Sequence, residues 1–125
     1  MKNPKSYTAL VDTGATVTMI TSSVAREMGL QPRGKMPMHG ISGIQHHNAF
    51  LFHVGFAGDP VPLSEVQVVD PDPDKTWYKV HLCTKLVMGG ELPDNGSFDV
   101  LLGMDIISTG TLVVEGARRI FSFSW

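Results

Sequence analysis

A chain of 125 residues suits one domain, expected to span residues 1–125, and leaves little room for two. Hydrophobic residues make up 42% and charged residues 18%, enough for a core and against a disordered chain. A formal net charge of −2 gives no electrostatic basis for binding nucleic acid or an anionic membrane surface, and the one basic pair, Arg118-Arg119, reads as a solvated turn.

In chain order the pattern is mostly β. Residues 7–11 form a short apolar run that stops at Asp12, as a buried strand would. Asp12-Thr13-Gly14-Ala15 is a turn signal, and Thr16 to Ile20 is rich in β-branched residues and reads as a second strand. Ser22 to Gly29 reads as a helix, capped by Thr21 or Ser22 and ended by Gly29. Residues 35–69 read as strands with turns at 40–43 and 57–60, the second joining Phe50–Phe56 to Val61–Val69 as a hairpin. Pro71-Asp72-Pro73-Asp74 is a rigid turn, 77–88 include another strand, and Glu91–Ser97 is a loop. Phe98 to Leu102 is an apolar strand stopped by Gly103, followed by a short helix over Met104–Ser108. Leu112–Val114 and Ile120–Phe123 make a final hairpin around Gly116.

Chemistry concentrates where apolar runs end in glycine motifs. An aspartate closing a buried strand is costly unless its charge is hydrogen-bonded or used. Gly14 lets the backbone approach the Asp12 carboxylate and donate its N–H, and Thr13 offers a hydroxyl to a neighbouring loop. An Asp-x-Gly turn alone is common. Here, however, it lies between two apolar strands, and Asp99-Val100-Leu101-Leu102-Gly103-Met104-Asp105-Ile106-Ile107 follows some 90 residues later.

Together these two motifs resemble the retropepsin-like aspartic proteases, and the wording around Leu101–Asp105 is most similar to cellular, bacterial and transposon members. The resemblance covers roughly residues 7–125. It implies an all-β fold, a small closed β-barrel or sandwich with one or two short helices, paired as a homodimer. It also implies an active-site loop at about 12–15, with Asp12 catalytic and Thr13, Gly14 and Ala15 in support. A glycine-rich flap falls at about 36–50, with Gly40, Ile41, Ser42, Gly43 and Ile44 contacting substrate. The strand and short helix at about 98–108 would lie beneath the loop, with Leu102, Gly103 and Asp105 structural. The activity implied is endopeptidase cleavage of peptide or protein substrates by a water held between two carboxyls that share one proton, working best on the acidic side. No second Asp-Thr/Ser-Gly exists in this chain, so the second carboxyl is expected from another copy. A catalytically weak module of the same fold, for dimerisation or peptide binding, is the alternative.

The other reactive residues read as structural. Asp94-Asn95-Gly96 is a polar turn. His46-His47 point to opposite strand faces and, with His39 and His53, lack a carboxylate or cysteine cluster, so no metal is expected, and no cofactor. Cys83 reads as a buried thiol, and the scattered methionines as core or cleft lining. With one cysteine, and neither a signal peptide nor a membrane-spanning run, the expected setting is the cytoplasm. Only eleven residues precede Asp12, fewer than in familiar retropepsins, whose first strand helps tie the dimer together. Here that strand is expected to be absent, trimmed or replaced in the dimer sheet by Phe121–Trp125, with packing of Phe121–Trp125 within its own subunit as the alternative.

Overall fold

The computed structural model describes residues 5–61, 77–83 and 85–125. Ten strands and two short helices follow in order: β1 Ala9–Val11, β2 Met19–Thr21, α1 Ser22–Glu27, β3 Lys35–Gly40, β4 Gly43–Phe52, β5 Gly55–Val61, β6 Trp77–Leu82, β7 Val87–Leu92, β8 Val100–Leu102, α2 Met104–Ile107, β9 Thr111–Glu115 and β10 Ile120–Ser124. The class is mostly β. Thr21 caps α1, its hydroxyl accepting from the Val24 N–H at 3.4 Å, and Gly29 beyond the helix is left-handed at φ 64°.

Six strands form one sheet in the order β1-β8-β2-β7-β4-β3, while β9–β10 and β5–β6 are separate antiparallel pairs. In the large sheet β1–β8 and β2–β7 run parallel, and the other pairs antiparallel. Strand alternation puts Ile20, Phe50, Phe52, Val100 and Leu102 on one face. That face carries the core. Ile20 and Phe50 pack with Val24 and Ala25 of α1, and Leu102 and Val87 pack with Ile106 and Ile107 of α2. Phe123 of β10 reaches the second cluster and lies against Phe56, with ring centroids 5.5 Å apart. The opposite face carries Leu10, Met19, Leu101 and Met88 and is less covered, with Leu10 and Met88 exposed.

Three expectations are corrected. The sheet is not a closed barrel: β1 and β3 are its edges. β4 pairs with β7 only over Ala49–Phe52, so among the described residues the rest of β4 pairs with β3 alone, and the three-residue β1 offers it little to close on. Gly58-Asp59-Pro60 is not a hairpin turn. It lies within β5, which passes through a register shift between Ala57 and Pro60 while pairing with β6. A bulge can accommodate proline because the extra residue leaves the ladder there. Val61 thus ends β5, and the remainder of the expected partner strand, like Pro71–Asp74, lies outside the described residues. Lastly, the expected loop Glu91–Ser97 begins later, because β7 runs from Val87 to Leu92; the strand expected within 77–88 is β6, Trp77–Leu82, in a different sheet.

Candidate active site

Asp12 stands one residue beyond β1, and its N–H donates to the Leu102 carbonyl at 3.0 Å, extending the β1–β8 pairing. The chain then turns sharply. Ala15 N–H donates to the Asp12 carbonyl at 3.2 Å, and Gly14 N–H donates to Asp12 Oδ1 at 2.8 Å. A Cβ at Gly14 would lie 3.1 Å from that oxygen, closer than side chains normally sit, so glycine lets the amide come this near. The carboxylate is half-buried, and the Gly14 bond is its one side-chain hydrogen bond among the described residues.

The loop is clamped from below by the segment that starts α2. Met104 N–H donates to the Ala15 carbonyl at 2.8 Å, and Asp105 N–H to the Thr16 carbonyl at 3.2 Å. Gly103 passes so close that a Cβ there would lie 2.6 Å from the Val17 carbonyl carbon. Thr18, fully buried, ties the two segments together. Its hydroxyl donates to Asp105 Oδ1 at 2.6 Å and accepts from Gly103 N–H at 3.0 Å, while its own N–H donates to Asp105 Oδ2 at 2.9 Å. Asp105 Oδ1 also accepts from Ile106 N–H at 2.9 Å, and the Asp105 carbonyl from Lys85 Nζ at 3.0 Å. Leu102, Gly103 and Asp105 are thus brought to the Asp12 loop. Thr18 was not singled out from sequence, where it is one β-branched residue among several; its signal is a partner 87 residues away.

Gly40 to Ile44 form the tip of the β3–β4 hairpin. Gly40 pairs with Gly43 across the two-residue loop Ile41-Ser42, and Gly43 takes φ 113°, a backbone region that favours glycine. Ile41 is fully exposed and Ile44 largely so. At the hairpin's root, Met36 and Met38 lean onto the sheet. Their sulfurs lie 3.5 and 3.6 Å from where a Cβ would stand at Gly90, with Met19 Cε at 3.2 Å. Alternation puts these methionines on the same sheet face as Leu10, two residues before Asp12. Thr13 is exposed, with no hydrogen bond from its hydroxyl to another described residue.

Among the described residues no three histidine, cysteine, aspartate or glutamate side chains gather as a metal site, and no helix is long and apolar enough to cross a membrane. No curated protein and no solved structure matches the chain significantly. One family does: the family model described as "gag-polyprotein putative aspartyl protease" matches residues 1–72, a stretch holding the Asp12 loop and the whole β3–β4 hairpin. With that match over more than half the chain and the Asp12 loop built as above, the chain belongs to the retropepsin-like aspartic protease family.

Proposed function

We propose that the chain is an aspartic endopeptidase, active as a homodimer in which each copy supplies one Asp12. The observation that carries this is the Asp12 carboxylate, oriented by the Gly14 N–H on a loop clamped to Gly103, Met104 and Asp105. A carboxylate fixed this firmly but left with one partner suits a role toward another group. One such carboxyl is half a catalyst. Two about 3 Å apart resist joint ionisation and share a proton. The ionised member takes a proton from water as that water attacks the peptide carbonyl. The protonated member donates to the carbonyl oxygen, and the pair titrates as a unit. A two-fold axis beside the loop supplies the second Asp12 from the same surface. In this reading Thr13 and Ala15 complete the loop, and the Gly40–Ile44 tip is the flap. Ile41 and Ile44 are exposed in the single chain and contact an extended substrate when the hairpin closes. The exposed apolar side chains of Leu10 and Met88 on the less covered sheet face favour apolar side chains beside the scissile bond.

The test is Asp12→Asn, which keeps the side chain's size but cannot share a proton. Cleavage of an apolar peptide should fall by about 10²–10⁴-fold or more with the fold unchanged. Substantial activity in a folded, pure Asp12→Asn sample overturns the assignment.

A further inference from the structure

On the sheet face opposite Leu10 and Met19, a cavity of about 390 Å³ opens between α1, the segment that follows it and the root of the β3–β4 hairpin. Ala25, Leu30, Pro32 and Phe50 give it apolar walls. Its polar side is Glu91 of β7 with Asn48 of β4. Proteolysis by Asp12 gives these residues no task.

The lining carries one carboxylate, Glu91, and one guanidinium, Arg26, which form no ion pair with each other. Glu91 is half-buried, and its one hydrogen bond among the described residues comes from Asn48 Nδ2 to Oε2 at a long 3.4 Å. Asn48 is held in that orientation because its Oδ1 accepts from Lys35 Nζ at 2.7 Å. Arg26 on the rim is engaged elsewhere, with Nη2 3.2 Å from Ser23 Oγ and 3.8 Å from Asp94 Oδ2. Among the described residues Glu91 makes no ion pair, and its Oε1 accepts no hydrogen bond, beside the apolar side chains of Leu30, Pro32 and Phe50. Such a carboxylate is costly to desolvate unless a positive group meets it.

We infer that this cavity takes the lysine side chain of an extended peptide segment, with the methylene stem on Leu30, Pro32 and Phe50 and the ammonium on Glu91. One available carboxylate oxygen suits a point donor better than the two-pronged guanidinium of arginine, which favours a carboxylate with both oxygens open. A flexible four-carbon stem can lie along the apolar wall of an open groove whose other side carries a carboxylate. Pro32 and Asn48 border the hairpin's root, where Arg33 N–H donates to the Ala49 carbonyl at 2.7 Å and Ala49 N–H to the Gly34 carbonyl at 3.0 Å. A lysine seated there would touch the base of the hairpin without entering the Asp12 cleft.

The experiment is an amide-resolved NMR titration of the full chain with Nα-acetyl-lysine methylamide, its Nε-acetylated form and the matching norleucine compound. The lysine compound should give saturable shifts at Ala25, Leu30, Asn48 and Glu91. Both uncharged compounds, and Glu91→Gln titrated with lysine, should bind about tenfold more weakly or worse. Absence of saturable shifts, norleucine binding as tightly as lysine, or full affinity in Glu91→Gln overturns the inference. Should Glu91→Gln not fold, the lysine and Nε-acetyl-lysine titrations of the unaltered protein decide alone. None of these readouts depends on peptide cleavage, so they stand apart from the fate of the Asp12 assignment.

Discussion

Thr18 ties the Asp12 loop to the segment that starts α2, a task no local pattern reveals, whereas Asp12, Gly14 and Gly103 each sit in a short apolar run ending in a turn or close approach. Its three hydrogen bonds reach Gly103 and Asp105, and nothing in the residues around it distinguishes it from any strand threonine. Replacing it with valine keeps the shape but leaves the Gly103 N–H and the Asp105 carboxylate each short of a partner. At about 1–3 kcal/mol for each group, Thr18→Val should lose roughly 2–6 kcal/mol in urea unfolding, and a change under about 0.5 kcal/mol would contradict the clamp. Tyr7 offers a second test. Burial, and then the Glu27 carboxylate to which its hydroxyl donates at 2.9 Å, pushes Tyr7 up to about 12 from the ordinary 10.0. The folded state thus favours the neutral phenol. Its contribution is complete below the unfolded tyrosine value near 10 and is lost as pH rises through about 12. Subtracting the alkaline ultraviolet titration of Tyr7→Phe from that of the unaltered protein should isolate a transition near pH 12. A transition near 10 would show the contact absent in solution.

Among the elements, α1 could be read because its cap and its terminal glycine are both local signals. The course of β5 could not. Gly58-Asp59-Pro60 has turn chemistry, and only the β6 partner, supplied by residues 77–82, makes it a bulge instead. Alternation along β10 puts Phe121 and Phe123 on one face of the C-terminal hairpin. The structure divides their surroundings. Phe123 is half-buried against Phe56 and the α2 cluster, whereas Phe121, opposite Val114, is 58% exposed. Phe123→Ala should therefore cost about 3 kcal/mol in unfolding, the low end for a phenylalanine truncation because the ring is only half covered. Phe121→Ala should leave the unfolding of a single chain within about 0.5 kcal/mol. If β10 joins the dimer sheet, that same substitution lowers dimer content in sedimentation. A fully dimeric Phe121→Ala protein would remove this side chain from the interface.

At the scale of the whole molecule, the mostly-β class was legible from composition and alternation, but the open edge of the sheet was not. Closure depends on how far strands overlap, and the reach of β4 past β7 is a matter of register. The half-site argument belongs at this scale too. When unaltered chains are mixed and equilibrated with excess Asp12→Asn chains, active pairs should fall with the square of the unaltered fraction. Activity that stays proportional to the unaltered chains would make the single chain a complete enzyme. A last consequence comes from the parallel pairing of β1 with β8, where Ala9 meets Val100, together with the clamp at Gly103–Asp105. The aspartate is synthesised about 90 residues before the segment that supports it, a delay on the order of ten seconds at ribosomal speed. Throughout that interval the nascent chain holds an unsupported Asp-Thr-Gly segment. Pairings this distant in sequence also close slowly once released. The order of synthesis thus leaves the Asp12 loop without its supporting contacts until residues 99–105 have been made.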